Sequence, residues 1–147
     1  MMKRFLILLL VLLVYLSCVP DPDGQVRVVR VIDGDTIEIA GGARVRYIGI
    51  DTPEVYPDME FYGKEASDKN RELVDGKMVT LERDVTNKDR YGRLLRYVHV
   101  DGLFVNAELV RLGYARSFSY PPDIRHQELL SQLEEEAQEA GLGLWQR

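Results

Sequence analysis

Three runs rich in β-branched residues, separated by glycine turns, constrain the fold of this chain more than any other feature. The first run spans residues 26–32 and ends at Asp33-Gly34. Segments 35–40 and 43–50 follow, and Gly41-Gly42 joins them. Valine and isoleucine favour strands, and glycine-containing dipeptides of this kind are typical of tight hairpin turns. The pattern predicts a meander of three antiparallel strands.

The remainder of the chain predicts two further strands and about three helices. Apolar residues at helical spacing and glycine-containing stops indicate the helices, and β-branched residues indicate the strands. The helices are predicted at 63–74, at 105–112 and after Asp123, and the strands at 77–83 and 93–100. Five strands with inserted helices indicate an α+β, mostly β fold: a five-stranded Greek-key barrel of the OB type.

The length of 147 residues suffices for one domain with a hydrophobic core, but hardly for two. We place this domain at residues 25–147. The first residues instead have the pattern of an export signal, in which Lys3 and Arg4 precede an apolar run over 5–16. This run is too short to span a bilayer comfortably. We therefore predict a signal peptide over residues 1–17.

Cys18 is the only cysteine of the chain and directly follows the apolar run. This position resembles a lipobox, in which the thiol is acylated after signal cleavage. Tyr15 departs from the aliphatic residue usual three places before such a cysteine, which leaves ordinary cleavage and secretion as the alternative. We predict that residues 18–24 are a lipidated cysteine and a short tether. The protein is then extracytoplasmic and anchored to a membrane through Cys18, or secreted if Cys18 is not lipidated.

Acidic residues and arginines are concentrated in three short clusters, at 33–36, at Arg46 with 51–54, and at 89–93. Hard oxygen ligands can hold a cation such as calcium, and a spare carboxylate can orient or deprotonate water. Two guanidinium groups can bind the phosphate oxygens on which negative charge accumulates. This inventory predicts a metal-assisted attack on a phosphodiester.

Strand alternation places two of these charged residues at core positions. Asp35 has the parity of Ile37 in the second strand, and Arg46 has the parity of Ile48 and Ile50 in the third, although the opposite face of the third strand is apolar as well. A buried charge without compensation is strongly unfavourable. The pattern therefore predicts a metal, a substrate anion or a paired site near the ends of these strands.

The order and the residue sequences of the three clusters resemble those of the staphylococcal nuclease (thermonuclease) family. The segments that carry the resemblance are IDGDTIEI at 32–39, VRYIGIDTPE at 45–54 and DRYGR at 89–93, and the similarity runs from about Val26 to Trp145. The resemblance implies the same OB-type fold and a calcium-dependent endonuclease. It further implies that DNA and RNA are both substrates and that cleavage leaves 3′-phosphate ends.

The resemblance also implies which residues bind the metal. Asp35 and Asp51 match the calcium ligands of the family, together with the backbone carbonyl of Thr52. Asp33 matches an acid beside these ligands. Because Asp33 precedes a glycine, it is equally well explained as part of a tight turn.

Three further residues match catalytic positions of the family. Glu54 corresponds to the residue that contacts the attacking water, either as general base or as a positioning group. Arg46 and Arg93 correspond to the two arginines that bind the scissile phosphate, where a planar fork gives bidentate contacts that lysine cannot reproduce.

Four residues are candidates for binding the nucleic acid. Arg90 and Tyr91 precede Arg93 in a turn, Tyr120 matches a family tyrosine that flanks the nucleotide, and Phe118 stands where the family often has a second tyrosine. Aromatic rings can stack on any base, so this set predicts little base selectivity. Packing in the core is the alternative for the three aromatic residues.

Charge is distributed unevenly along the chain, whose formal net charge is −5. The run 134–136 is acidic and predicts a solvated helix face, whereas arginines and a lysine between Arg83 and Arg96 predict a basic active face. The loop at 55–62, which borders the substrate in the family, carries Asp58 and Glu60 in place of lysines. Its acidity predicts a preference for short or single-stranded nucleic acid.

Two alternatives to a calcium nuclease remain open from the sequence. The barrel is also used by noncatalytic modules that bind nucleic acid or protein, since fold does not fix function. Oxygen ligands also accept magnesium or manganese. In either case we expect a monomer.

Overall fold

Five strands close into a barrel in the computed structural model, which describes residues 24–146. The predicted signal peptide and Cys18 lie outside these residues. The strands are β1 (Gln25–Val31), β2 (Thr36–Ile39), β3 (Arg44–Tyr47), β4 (Ile50–Asp51), β5 (Met78–Glu82), β6 (Leu94–Val100), β7 (Leu103–Phe104) and β8 (Arg116–Ser117). The helices are α1 (Gly63–Val74), α2 (Val105–Arg111) and α3 (Gln127–Glu139), followed by a short 3₁₀ helix at Gly143–Trp145. The predicted α+β barrel with three helices is confirmed.

The barrel strands follow the order β3, β2, β1, β5, β6, and all four of these neighbouring pairs are antiparallel. A parallel pairing between β3 and β6 closes the barrel, with Val45 opposite Leu94 and Tyr47 opposite Arg96. The first three strands form the predicted meander. The two-residue strand β7 pairs antiparallel with β6, while β4 and β8 form a separate small sheet.

The third strand is shorter than predicted: β3 ends at Tyr47, so the chain turns before Ile50. Val45, Tyr47 and Ile50 belong to the main core, and Ile48 belongs to a smaller cluster. Arg46 lines one cleft together with Tyr47, Ile48 and Ile50. The alternation used to place Arg46 does not continue across the turn, so parity with Ile50 has no meaning there.

Each helix contributes to the core of the barrel. Val74 of α1, Leu109 of α2 and Leu130 of α3 are fully buried in the same cluster as the strand residues. Glu82 at the end of β5 accepts hydrogen bonds from Arg125 and His126, which directly precede α3. The end of the barrel and the start of the last helix are therefore joined by charged groups as well as by apolar packing. Within residues 24–146, no helix has both the length and the hydropathy needed to cross a membrane.

Arg96 does not belong to a basic surface, contrary to the prediction. It is 0% exposed and lies in β6 between the buried residues Leu95 and Tyr97. Its Nη2 donates to Asn87 Oδ1 at 2.8 Å, and its Nη1 donates to the carbonyl oxygens of Asn87 and Leu95. Arg96 thus holds the base of the loop that leads into the third charged cluster.

Candidate active site

Asp35 is the most buried acid of the first cluster, and its carboxylate is held from two sides. Its Oδ2 accepts hydrogen bonds from the backbone N–H and the hydroxyl of Thr52, at 2.9 and 3.0 Å. Its Oδ1 accepts a hydrogen bond from the Thr36 hydroxyl at 3.1 Å. Gly34 permits this approach, because a Cβ there would lie 2.6 Å from Thr52 Oγ1. The first and second clusters are therefore in direct contact through Asp35 and Thr52.

Arg46 joins the two acidic clusters. Its Nε lies 3.2 Å from Asp35 Oδ1, and its Nη2 donates to Asp51 Oδ1 at 2.9 Å. Its Nη1 donates to the carbonyl oxygens of Tyr47 and Ile50, at 2.8 Å each. These contacts fix the guanidinium in one orientation at the end of β3. They also bring Asp35 and Asp51 to the same guanidinium group, although the two acids belong to separate clusters of the sequence.

Asp33 contributes both to the turn and to the acidic site. Its Oδ1 accepts a hydrogen bond from the Asp35 backbone N–H at 3.0 Å, and its carbonyl accepts one from Asn70 of α1. Burial, reinforced by the charge of Asp35, raises the pKa of Asp33 to about 6. The turn interpretation is therefore consistent with the geometry, and the carboxyl group also lies within the field of the acidic cluster.

Negative charge exceeds positive charge in this part of the molecule. Partial burial raises the pKa of Asp51, and the charge of Asp35 adds to this while Arg46 opposes it. Burial also raises the pKa of Glu54, with further contributions from the charges of Asp35, Asp51 and Glu60. Arg46, assisted at Asp51 by Arg116, does not fully compensate these carboxylates, so an added cation would relieve their mutual repulsion.

The donor set fits a hard cation whose coordination is completed by other oxygens. Within residues 24–146, no three His, Cys, Asp or Glu side chains converge to hold an ion by themselves. Asp35 and Asp51 supply two carboxylates, and Thr52, which directly follows Asp51, donates hydrogen bonds to Asp35. Calcium accepts backbone carbonyls, water and substrate oxygens in addition to carboxylates. The residues present thus fit the calcium ion that the sequence resemblance implies.

The third cluster forms a tight turn around Asp89, a residue to which the sequence analysis assigned no role. Asp89 Oδ1 accepts hydrogen bonds from the backbone N–H groups of Tyr91 and Arg93, and Asp89 Oδ2 accepts one from Arg93 Nε at 2.7 Å. Although partial burial acts against it, these bonds hold the pKa of Asp89 below its usual range. Asp89 therefore fixes the orientation of Arg93. Aspartate often accepts hydrogen bonds from the backbone two residues on, so Asp89 at the start of DRYGR could have indicated this turn from the sequence.

One cleft of about 340 Å³ is lined by six of the predicted site residues, none of them a predicted metal ligand. Arg46 and Arg93 both line it, as do the four candidates for binding nucleic acid: Arg90, Tyr91, Phe118 and Tyr120. The parallel pairing of β3 with β6 explains this, because it places Arg46 opposite Leu95, two residues from Arg93. Glu54 does not line the cleft. It is exposed and follows Asp51 in the second cluster.

The aromatic residues of the cleft are exposed, so the alternative of core packing is wrong for all three. Tyr91, Phe118 and Tyr120 each keep about half or more of their surface accessible. Arg90 and Arg93 lie over the Tyr91 ring, with their guanidinium carbons 4.8 and 5.4 Å from its centroid. Cation–π contacts of this kind hold the Tyr91 ring beside the two guanidinium groups.

The role of one buried acid, Asp123, was not predicted from the sequence. Asp123 is fully buried, and its Oδ1 accepts hydrogen bonds from the backbone N–H groups of Val85 and Thr86. Together with Arg96, which holds Asn87, it anchors the segment that leads to the Asp89 turn. The parity of Arg96 with Leu94 and Val98 was the one signal available for its burial; no local pattern indicated the role of Asp123.

Comparison with known proteins gives one consistent result. The family model described as "Staphylococcal nuclease homologue" matches residues 44–147. The "Thermonuclease" of Staphylococcus intermedius is 43% identical over 124 residues, which cover 80% of this chain and 74% of that protein. The "Thermonuclease" of Staphylococcus hyicus is 41% identical over 125 residues, covering 81% and 74%. "Endonuclease YncB" of Bacillus subtilis is 38% identical over 126 residues, covering 80% of this chain and 60% of that protein.

Proposed function

Because this chain belongs to the staphylococcal nuclease family and is an endonuclease, we propose that it hydrolyses DNA and RNA with calcium as its cofactor and leaves 3′-phosphate ends. The observation that carries this proposal is the convergence of Arg46 and Arg93 on one cleft, with Arg46 also in contact with Asp35 and Asp51. The alternative of a noncatalytic binding module is not retained, because the relatives are endonucleases by name and every matched catalytic position is filled.

We assign calcium to Asp35, Asp51 and the backbone carbonyl of Thr52. When bound there, the ion would neutralise charge that develops on the phosphate oxygens. Asp33 would support this site through its hydrogen bond to the Asp35 backbone N–H. The excess of carboxylates around Arg46 supports this assignment, since it is the arrangement that a divalent cation stabilises.

We assign to Arg46 and Arg93 the binding of the scissile phosphate. Both guanidinium groups are held by protein acceptors, Arg46 by Asp35, Asp51 and two backbone carbonyls and Arg93 by Asp89, so each lines the cleft in a fixed orientation. Preorganised donors of this kind stabilise the charge of the transition state without reorganising during the reaction. Arg90, Tyr91, Phe118 and Tyr120 would hold the neighbouring nucleotides.

Glu54 would act on the attacking water, as general base or as a positioning group. Water oxygen attacks phosphorus, the bond from phosphorus to the 5′ oxygen breaks, and one proton of the water passes to Glu54. The departing 5′ oxygen takes up a proton, so that the products are a 3′-phosphate and a 5′-hydroxyl. The exposure of Glu54 supports this role, because its carboxylate is accessible to water.

Calcium dependence gives a direct test of this function. The protein incubated with single-stranded DNA is expected to degrade it in calcium and to lose activity in excess chelator, with recovery when calcium is restored. Product ends are identified by phosphatase treatment and end labelling. Full activity in chelator would contradict the metal assignment, and activity restored by magnesium or manganese but not by calcium would assign a different cation.

We further propose that the protein is a monomer and that it prefers single-stranded substrate. We also propose that it leaves the cytoplasm and carries a lipid anchor on Cys18, which lies outside the described residues. The motif around Cys18 supports the anchor, and the acidic residues Asp58 and Glu60 support the substrate preference. Labelling with a fatty acid that is lost in Cys18→Ser tests the anchor; equal labelling of both proteins would contradict it.

A further inference from the structure

The loop at 55–62 exposes large apolar side chains directly beside Glu54. Tyr56, Met59 and Phe61 are 80%, 64% and 69% exposed. Tyr56 and Phe61 are the most exposed large apolar side chains among residues 24–146. Scattered exposed apolar residues need no explanation, but a cluster beside a reactive site indicates a binding surface.

The positions of the exposed aromatic rings reinforce this point. Within the described part of the chain, the rings that are largely open to solvent belong to Tyr56, Phe61, Tyr91, Phe118 and Tyr120. Three of these five line the cleft, and the other two follow Glu54 within seven residues. The exposed aromatic rings of the described residues therefore belong either to the cleft or to the loop that follows Glu54.

The loop is tied down at both ends, so the exposure of its rings is built into the structure. The Glu60 backbone N–H donates to the Glu54 carbonyl at 2.9 Å, and the Glu54 backbone N–H donates to Glu60 Oε2 at 2.9 Å. At the other end, the ring of Tyr62 stacks on that of Tyr114, with centroids 5.4 Å apart and an angle of 29° between the planes. These contacts fix the backbone on either side of the rings while the rings of Tyr56 and Phe61 remain open to solvent.

The charge of the loop decides which ligand it fits. Residues 53–63 contain Glu54, Asp58 and Glu60 and no lysine or arginine. Phosphate groups and anionic lipid headgroups would be repelled at this surface. A nucleobase is uncharged and offers a flat face to an aromatic ring, and such stacking tolerates any base.

We propose that Tyr56 and Phe61 form a stacking subsite for unpaired nucleobases next to the scissile phosphate, on the Glu54 side of the active site. This inference rests on the proposed function, which places the phosphate between Arg46 and Arg93. Bases of a duplex are already stacked and paired, and must be unpaired and unstacked before they reach the rings. The subsite therefore selects single-stranded DNA or RNA, and the acidic residues around it act against duplex backbones.

Equilibrium binding without turnover tests the subsite. The probe is a fluorescein-labelled single-stranded DNA of about 12 nucleotides, and its anisotropy is measured at low salt in chelator. The double variant Tyr56→Ala/Phe61→Ala is expected to raise the Kd at least about 10-fold. The matched double variant Tyr56→Phe/Phe61→Tyr keeps both ring faces, and its Kd is expected to stay within about twofold of the wild type.

A matched oligonucleotide with abasic sites separates stacking from a structural effect. Wild-type protein is expected to bind it more weakly than it binds the normal DNA, and the alanine substitutions are expected to add no further loss on the abasic DNA. An equal loss on both oligonucleotides would overturn the proposal, because the rings would then act on the backbone or on the fold. A double variant that loses cosedimentation with anionic lipid vesicles but keeps its Kd for DNA would also overturn it, in favour of a lipid surface.

Calcium-dependent cleavage measured in parallel keeps the two proposals distinguishable. If the alanine variant binds DNA as tightly as the wild type while both cleave it, the subsite is wrong and the nuclease assignment stands. If the alanine variant binds more weakly but neither protein cleaves, the subsite stands and the nuclease assignment is wrong.

Discussion

Replacing Arg46 with alanine is expected to lower kcat on single-stranded DNA by about 10³- to 10⁵-fold, measured as initial rates in saturating calcium. The structure gives the physical reason. Arg46 contacts Asp35, Asp51 and the backbone at the end of β3 while also lining the cleft. Its removal takes away preorganised donors at the place where we propose that the phosphate binds. Among residues 24–146, no other arginine or lysine is held by acceptors from both acidic clusters.

The Arg46→Lys variant is the matched control for this prediction. Lysine keeps a positive charge between Asp35 and Asp51, so stability in urea is expected to be closer to wild type than in Arg46→Ala. It lacks the planar fork that donates in several directions, so turnover is expected to stay low. Near-normal turnover in a folded Arg46→Ala protein would remove Arg46 from the catalytic residues. Full activity in Arg46→Lys would show that charge alone suffices.

Replacing Glu54 with glutamine is expected to lower kcat by about 10²- to 10⁴-fold while calcium affinity changes little. Glutamine keeps the size of the side chain but cannot accept a proton from water. Glu54 lies outside the network of Asp35, Arg46 and Asp51, so the proposed metal ligands should remain in place. Initial rates give kcat, and calcium titration followed by calorimetry gives the affinity.

Glu60→Gln provides the control for the Glu54 substitution. Glu60 lies beside Glu54 and accepts a hydrogen bond from its backbone N–H, which an amide oxygen can also accept. The loss of one negative charge near the site is therefore reproduced without touching the proposed base. Parallel losses of turnover and calcium affinity in Glu54→Gln would identify Glu54 as a metal ligand. A loss of turnover in Glu60→Gln as large as in Glu54→Gln would point to charge near the site as the common cause.

Much of the fold could be predicted because its strands are local features. The valines and isoleucines of β1 and β2 and the turn at Asp33-Gly34 act over a few residues, and each strand lies close to its predicted place. The parallel pairing of β3 with β6 could not be predicted from such patterns. It depends on the register between Val45 and Leu94, which are distant in the chain. The end of β3 at Tyr47 was missed for a related reason, since Ile48 and Ile50 continue the apolar pattern through a turn.

The candidate site could be predicted in part because charge at core positions needs compensation. Asp35 is buried as its parity indicated, and its partners Thr52 and Arg46 come from the predicted second cluster. The burial of Arg96 follows from the same argument, because Arg96 has the same parity along β6 as the buried residues Leu94 and Val98, but it was not predicted. The supporting role of Asp89 required the geometry of a turn, which a list of charged residues does not contain.

The parallel closure of the barrel has a consequence for when the enzyme becomes active. Arg46 and Arg93 reach the same cleft through the pairing of β3 with β6, which joins the second charged cluster to the third. A chain in which β3 and β6 are unpaired carries both arginines but does not bring them to one cleft. If the proposed export precedes this pairing, the unfolded enzyme would not cleave the nucleic acids of the cell that makes it.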